Sequence, residues 1–204
     1  MSARPRPHHA TLTLRPMSVA DLDTVMSIEP RAYPYPWSRG NFTDSLAAGY
    51  LAWMLEASTE APRRAERDTE CLGYYVAMLG FEEMHLLNIT IKPEARGRGH
   101  ALSLLNHLAE RSREARVHSL WLEVRRSNER ARAVYQRWGF AEMGVRRGYY
   151  PAAGGQREDA VLMSWRVMEP PGLGAAQPAP RGDQENLGRP GVFLSDESLG
   201  HALD

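Results

Sequence analysis

Hydrophobic and polar positions alternate along the chain with two different periods. Segments in which every second residue is apolar predict strands, and apolar spacings of three to four residues predict helices. Strands are predicted over residues 11–15, 50–57, 71–81, 84–91, 119–125, 141–145 and 160–167. Helices are predicted from Ser18 toward Glu29, near residues 39–48, over residues 99–116 and over residues 128–138. Strands and helices alternate in the middle, with antiparallel hairpins expected at both ends, so the pattern favours a mixed α/β sheet.

Three segments depart from this alternation. Residues 1–10 are basic and contain prolines, so we expect a disordered arm. Residues 58–70 are polar and charged between two predicted strands, and we expect a long exposed loop there. Residues 168–204 are rich in proline and glycine with only scattered apolar residues, which predicts a mostly disordered tail. The folded domain is therefore expected over residues 11–167.

Composition narrows the class of protein only slightly. Lys and Arg number 25 and Asp and Glu number 25 among 204 residues, so net charge predicts neither a nucleic-acid-binding nor a membrane-surface protein. No apolar run approaches the roughly 18 residues that span a bilayer, and residues 1–10 lack the apolar stretch of a secretory signal. The single cysteine, Cys71, excludes an internal disulfide framework and is expected to be a buried structural thiol. We therefore expect a cytoplasmic protein.

A glycine-rich turn between the predicted strand 84–91 and the predicted helix 99–116 is the strongest local motif. Gly97 and Gly99 allow the backbone to approach a ligand closely. The first N–H groups of the helix lack partners within it and lie at the positive end of its dipole, which suits a diphosphate. Arg96 and Arg98 add positive charge, and the spacing differs from ATP and dinucleotide motifs. From the glycines alone, an ordinary turn with solvated arginines explains the pattern equally well.

A second candidate region runs from the strand 119–125 into the helix that follows. Glu123 lies between apolar neighbours on this strand, where a buried carboxylate could act as a general base. A surface-facing or arginine-paired glutamate on an edge strand would give the same pattern. Tyr135 lies on the apolar face of the helix, which fits core packing or, if its phenol reaches a cleft, proton donation to a leaving thiolate. Asn128 is a natural N-cap.

These motifs resemble those of the GNAT superfamily of N-acetyltransferases. In the superfamily's coenzyme A motif, an arginine or glutamine precedes a glycine by three residues and a glycine or alanine by five, as Arg96, Gly99 and Ala101 do here. The block L-W-L-E-V-R-R-S-N and the helix after it are similar to those of bacterial members that acetylate ribosomal proteins. Pro36-Trp37-Ser38 and residues 146–151 and 157–160 fit the same group. The resemblance spans residues 12–167 and departs from the pattern at the loop 58–70, at Gly148 and in the tail.

The resemblance implies a mixed, mostly antiparallel seven-stranded sheet with flanking helices and a central pair of splayed strands. It implies direct transfer from acetyl-CoA without a metal, with Glu123 as base and Tyr135 as acid. The substrate it implies is the N-terminal alanine of a small-subunit ribosomal protein. The residues expected to hold acetyl-CoA are Ile89, Thr90, Ile91, Arg96, Gly97, Arg98, Gly99, His100, Ala101, Leu102 and Asn128. Those expected to contact the peptide are Trp37, Tyr149 and Tyr150.

Two other functions stay open at this point. The same fold could acetylate lysine side chains or a small-molecule amine. A non-catalytic acyl-CoA-binding module would keep the turn, but the presence of both Glu123 and Tyr135 weighs against it. The seven histidines are scattered without the spacing of metal ligands, so no metal is expected. No direct contact with nucleic acid or membrane is expected either.

Overall fold

The computed structural model describes residues 11–59 and 68–167. Seven strands form one sheet in the order β1-β2-β3-β4-β5-β7-β6. The strands are β1 (Thr11–Pro16), β2 (Leu51–Thr59), β3 (Asp68–Leu79), β4 (Glu83–Ile91), β5 (Ser119–Arg125), β6 (Ala141–Pro151) and β7 (Arg157–Arg166). The helices are α1 (Leu22–Ala32), α2 (Arg39–Ala47), α3 (His100–Glu114) and α4 (Glu129–Trp138), with short 3-10 turns at Val19–Asp21, Pro93–Ala95 and Ala153–Gly155.

Helices cover both faces of the sheet, and each face has its own apolar core. On one face, α3 and α4 pack against the buried side chains of β5, including Leu120, Leu122 and Val124. On the other face, α1 and α2 cover β2 and β3, where Tyr74 and Val76 are buried. Because side chains alternate along a strand, residues between these buried positions on β5 point to the face of α1 and α2.

The central strands β4 and β5 form the only parallel pair in the sheet, within the described residues, and they separate partway along. Their pairing joins residues 83–86 to residues 119–122 and ends at Leu86 and Leu122, although β4 continues to Ile91 and β5 to Arg125. The register between β3 and β4 also shifts next to this point, between Val76 and Ala77. A wedge therefore opens between β4 and β5, which confirms the predicted splayed central pair.

Most predicted elements are confirmed, with one clear correction. Residues 58–70 were expected to be a loop, but β2 and β3 extend into both of its ends, and Thr59 pairs with Asp68. Strand pairing satisfies the backbone N–H and C=O groups whatever the polarity of the side chains. The prediction from polar composition alone therefore made the loop too long. At the other end of β3 the strand stops at Leu79, and Phe81 in the following turn is 90% exposed.

Several sequence-based expectations fall on residues outside the described part of the chain. These are the basic arm 1–10, the middle of the loop (60–67) and the tail 168–204. Cys71 is free and buried, as predicted, and burial raises the pKa of its thiol to about 11. Within residues 11–59 and 68–167, no helix has the length and apolar character to cross a bilayer.

Candidate active site

The glycine-rich turn forms an open cradle in front of α3. Gly97 has φ +76° and Gly99, the N-cap of α3, has φ +83°, a backbone conformation that favours glycine. A Cβ added at either position would meet nothing within 4 Å. The turn therefore leaves free space directly beside the backbone at the N-terminus of a 15-residue helix, the geometry of an anion-binding turn.

Contacts with the C-terminal end of α1 hold this turn in place. Arg96 donates from Nε to the Ile91 carbonyl at 3.3 Å and from Nη2 to the Ala32 carbonyl at 3.2 Å. Arg31, next to Ala32, pairs with Glu94 at 2.6 Å. The guanidinium of Arg96 thus anchors the turn to the end of α1, while Arg98 is exposed.

A cavity of about 550 Å³ lies between the turn and α4. One wall consists of Ile91, Ala95, Arg96, Gly97, Gly99, His100, Ala101 and Leu102. The other wall is one face of α4 and consists of Arg130, Val134, Arg137 and Trp138. Seven of the residues predicted to hold acetyl-CoA therefore line one cavity. The four α4 residues of the other wall are not among the predicted site residues.

The end of β4 presents part of its backbone to the wedge. Lys92 N donates to the Leu72 carbonyl at 2.8 Å, so by antiparallel alternation Thr90 also pairs with β3, while Ile89 and Ile91 face away from it. The Ile89 carbonyl accepts from the Tyr33 hydroxyl at 2.7 Å. Of the three β4 residues predicted to bind the coenzyme, two therefore turn their backbone toward the wedge.

A buried carboxylate, Glu29 of α1, lies behind this backbone. It is 0% exposed and accepts four hydrogen bonds. Oε1 accepts from Trp37 N and Asn88 Nδ2, both at 3.1 Å. Oε2 accepts from the Tyr74 hydroxyl at 2.6 Å and from Thr90 Oγ1 at 3.1 Å. Burial raises the pKa of Glu29, against the lowering effect of these hydrogen bonds. Glu29 is not among the predicted site residues, although its place on the buried stripe of α1 is a sequence signal for a buried carboxylate.

Glu123 lies on β5 where the wedge opens, and it points to the face of α1 and α2. Its side chain is 9% exposed, and Oε1 pairs with Arg146 Nη1 at 3.1 Å across β7. The sequence left open a buried general base or an arginine-paired glutamate on an edge strand. The structure has features of each, because Glu123 is paired with an arginine but lies on a central strand. Among the described residues, no side chain other than Arg146 forms an ion pair with this carboxylate.

Tyr135 and Asn128 belong to α4 on the opposite face. Tyr135 is 1% exposed and packs against Phe140 in the core, with ring centroids 5.6 Å apart. Asn128 caps α4, and its side-chain oxygen accepts from Ala131 N at 3.0 Å. Glu123 and Tyr135 therefore lie on opposite faces of the sheet.

Arg125 joins the two loops that flank Glu123. Its guanidinium lies 5.0 Å from the ring centroid of Tyr35, in the loop between α1 and α2, and 4.5 Å from that of Tyr150, at the end of β6. It also donates to the Pro151 carbonyl at 2.9 Å and pairs with Glu158 at 3.2 Å. Arg125 and Tyr35 are not among the predicted site residues, because their contact depends on tertiary structure.

The three predicted peptide-contact residues occupy different environments. Trp37 is 2% exposed and packs on Phe42 at 5.1 Å, so it supports the loop from inside. The rings of Tyr149 and Tyr150 contact each other at 5.0 Å, and Arg146 lies over Tyr149 at 5.4 Å. The buried Tyr150 hydroxyl has no hydrogen-bond partner among the described residues. Burial, followed by the nearby charge of Glu123, raises the pKa of Tyr150.

Metal ligands are not clustered in the part of the chain that the structure describes. No group of three His, Cys, Asp or Glu side chains there could hold an ion.

Comparison with a family model and with individual proteins matches this chain to acetyltransferases. Residues 22–140 match the acetyltransferase (GNAT) family. The [ribosomal protein bS18]-alanine N-acetyltransferase of Salmonella typhimurium is 36% identical over 152 residues, which cover 74% of this chain and 95% of that protein. A putative enzyme of the same name from Bacillus subtilis is 31% identical over 76% of this chain and 96% of its own length.

Among solved structures, the ribosomal-protein-S18-alanine N-acetyltransferase of Escherichia coli matches with a TM-score of 0.66 and 31% identity, over 81% of this chain and 100% of that one. Arabidopsis thaliana NAA60, solved in complex with acetyl-CoA, matches with a TM-score of 0.64 and 20% identity, over 77% and 99% of the two chains. The second likeness concerns the fold alone.

Proposed function

Because this chain belongs to the acetyltransferase (GNAT) family, we propose that it transfers the acetyl group of acetyl-CoA to the N-terminal alanine of a small-subunit ribosomal protein. The substrate is the one that the names of its relatives give for those proteins. Such a reaction would take place in the cytoplasm, where ribosomal proteins are made. The observation that carries the proposal is the position of Glu123, a nearly buried carboxylate at the mouth of the wedge.

The cradle and the cavity fit a nucleotide-linked thioester. Gly97 and Gly99 leave room beside the backbone, and the first N–H groups of α3 supply donors for a diphosphate. The N–H groups of Ile89 and Ile91, which face away from β3, offer hydrogen bonds to the carbonyls of an extended amide-containing arm. Bound there, acetyl-CoA would supply an activated acetyl group with a thiolate as leaving group.

Glu123 has the geometry of a general base for the incoming amine. The ion pair with Arg146 orients the carboxylate, which would accept a proton from the amine directly or through one water. An α-amine has an ordinary pKa of about 7.7–8.0, against about 10.4 for lysine, so a few hundred-fold more α-amine is neutral near pH 7. A single carboxylate is therefore a sufficient base for an N-terminal substrate.

Tyr135 supplies the proton that the leaving thiolate requires. A phenol of ordinary pKa about 10 can protonate a thiolate whose conjugate thiol has a pKa near 8.5 as charge develops on sulfur. A backbone N–H group at the register shift of β4 would polarise the thioester carbonyl. No covalent enzyme intermediate is needed, and the buried Cys71 takes no part.

A mass-spectrometric assay tests this proposal. The purified full chain is incubated with acetyl-CoA and a peptide that begins with alanine, and with the same peptide Nα-blocked and carrying a lysine. We expect one acetyl group on the first peptide and none on the second. Acetylation of the lysine peptide alone would reject the α-amine substrate, and failure to acetylate any amine would reject the enzymatic function.

Two variants test the assigned roles. Glu123→Gln and Tyr135→Phe should each lower kcat by about 100-fold or more, the range for loss of a general base or acid. Glu110→Gln, an exposed change on α3, is the control and should retain full activity. If Glu123→Gln keeps wild-type kcat while circular dichroism shows an intact fold, Glu123 is not the base.

A further inference from the structure

Two arginines on α4 face the cavity without a partner. Arg130 and Arg137 line the cavity wall opposite the glycine-rich turn, together with Val134 and Trp138. Positions 130, 134, 137 and 138 share one face of a helix, and the two arginines are two turns, or about 10 Å, apart. Within the described residues neither guanidinium has a hydrogen bond, ion pair or ring contact.

A third arginine on the same helix behaves differently. Arg132 points away from the cavity toward β6, where it pairs with Glu142 at 2.7 Å. The cavity lining contains Arg96, Arg130, Arg137 and His100 but no acidic residue. Positive charge is therefore neutralised on the outer side of α4 and left unpaired on the side that faces the cavity.

We propose that Arg130 and Arg137 bind the 3′-phosphate of the nucleotide part of coenzyme A, and that they make the enzyme select 3′-phosphorylated acyl donors. The inference rests on the proposed function, in which acetyl-CoA is the donor and its diphosphate binds the turn. With the diphosphate at the N-terminus of α3, the ribose phosphate of the same nucleotide would lie toward α4, because the cavity extends from the turn to that helix. Guanidinium groups on the facing wall then supply the paired, charge-assisted hydrogen bonds that a phosphate monoester accepts.

The proposal assigns different phosphates to different elements. The backbone of the turn would bind the diphosphate, which every acyl-nucleotide donor of this kind carries. The arginines of α4 would bind only the 3′-phosphate, which acetyl-dephospho-CoA lacks. Deleting the 3′-phosphate from the donor and deleting the arginines from the protein should therefore remove the same interaction.

A crossed kinetic experiment tests this. The kcat/KM values of wild type, Arg130→Gln/Arg137→Gln and the control Arg132→Gln are measured with acetyl-CoA and with acetyl-dephospho-CoA. Wild type should prefer acetyl-CoA by about ten-fold or more, the loss expected for one charge-assisted hydrogen bond. The double variant should lose that preference, mainly through weaker use of acetyl-CoA, and the control should keep it.

Each alternative outcome has a defined meaning. A double variant that retains the wild-type preference, or a wild type without preference, overturns the proposal. An equal loss with both donors also overturns it, because the arginines would then act on a part that both donors share. Isothermal titration of the same three proteins with CoA and dephospho-CoA provides a readout that needs no turnover. If wild type binds CoA more tightly than dephospho-CoA but acetylates no amine, the inference stands and the proposed function fails.

Discussion

Replacement of the buried Glu29 offers a quantitative test of how the site is supported. Four donors converge on its carboxylate: Trp37 N, Asn88 Nδ2, the Tyr74 hydroxyl and Thr90 Oγ1. In Glu29→Ala, Thr90 Oγ1 can still donate to Asn88 Oδ1, 2.9 Å away. The other three donors lose their acceptor, at about 1 kcal/mol or more each. We therefore expect Glu29→Ala to lower the free energy of unfolding by about 3 kcal/mol.

Glu29→Gln should be much less destabilising than Glu29→Ala, because the N–H donors bind one carboxylate oxygen and the hydroxyl donors bind the other. The oxygen of glutamine can accept from Trp37 N and Asn88 Nδ2, which must remain donors. Its NH₂ group would replace Oε2, whose two partners, the hydroxyls of Tyr74 and Thr90, can reverse and act as acceptors. The variant should thus lie within about 1 kcal/mol of wild type near pH 4.5, where burial favours the protonated carboxyl that the amide mimics.

The raised pKa of Glu29 determines how the free energy of unfolding changes with pH. In the unfolded chain Glu29 releases its proton near the ordinary pKa of 4.5, whereas burial raises the pKa in the folded protein. Between these two pKa values the folded state holds more protons, so the free energy of unfolding falls as pH rises, by up to about 1.4 kcal/mol per pH unit. Glu29→Gln lacks this titration. Wild type should therefore lose stability relative to Glu29→Gln as pH rises above about 4.5.

Urea unfolding followed by tryptophan fluorescence at a series of pH values measures these differences. Glu110→Gln is the matched control, since Glu110 is exposed and its replacement should leave the pH dependence of wild type unchanged. A wild type that gains stability relative to Glu29→Gln with rising pH would refute the reasoning. So would a Glu29→Gln variant as unstable as Glu29→Ala.

Two further predictions concern ligand binding. Gly99→Ala should weaken acetyl-CoA binding measured by calorimetry, because its Cβ enters the cradle. Gly49→Ala is the control, since it carries a similar backbone strain (φ +75° against +83°) outside the site and should keep the wild-type affinity. Equal affinity of the two variants for acetyl-CoA would contradict this. Arg125→Gln should raise KM for the peptide by about ten-fold through loss of one charged contact that fixes both loops, and leave KM for acetyl-CoA unchanged. Arg126→Gln, at an exposed ion pair of 3.5 Å, should change neither constant.

The sequence predicts those parts of the site that depend on local pattern. Alternation along 119–125 correctly assigns Leu122 and Val124 to the core and Glu123 to the opposite face. The Ser18–Asp21 start of the first helix is also local, and Ser18 N donates to the Asp21 carboxylate at 2.8 Å. Such features require only neighbouring residues, so periodicity and capping rules suffice to find them.

Contacts between distant segments were beyond the same reasoning. Glu123 meets Arg146 because β7 inserts between β5 and β6, a strand order that no local pattern encodes. Arg96 was expected to add charge to the anion cradle, yet its guanidinium donates to the carbonyl of Ala32, 64 residues earlier. In both cases the sequence predicts a site residue, but the partner of its side chain depends on the topology of the fold.

The loop between α1 and α2 shows why these distant contacts matter for function. Three alternate residues of the segment Y-P-Y-P-W each contact a different part of the site. The Tyr33 hydroxyl binds the Ile89 carbonyl in the wedge, the Tyr35 ring lies against Arg125 beside the peptide face, and Trp37 N binds Glu29. The intervening prolines carry no N–H to satisfy and restrict the backbone. One short segment thereby fixes the end of β4 and Arg125 relative to each other. In the proposed reaction, this would align the amine with the face of the thioester carbonyl.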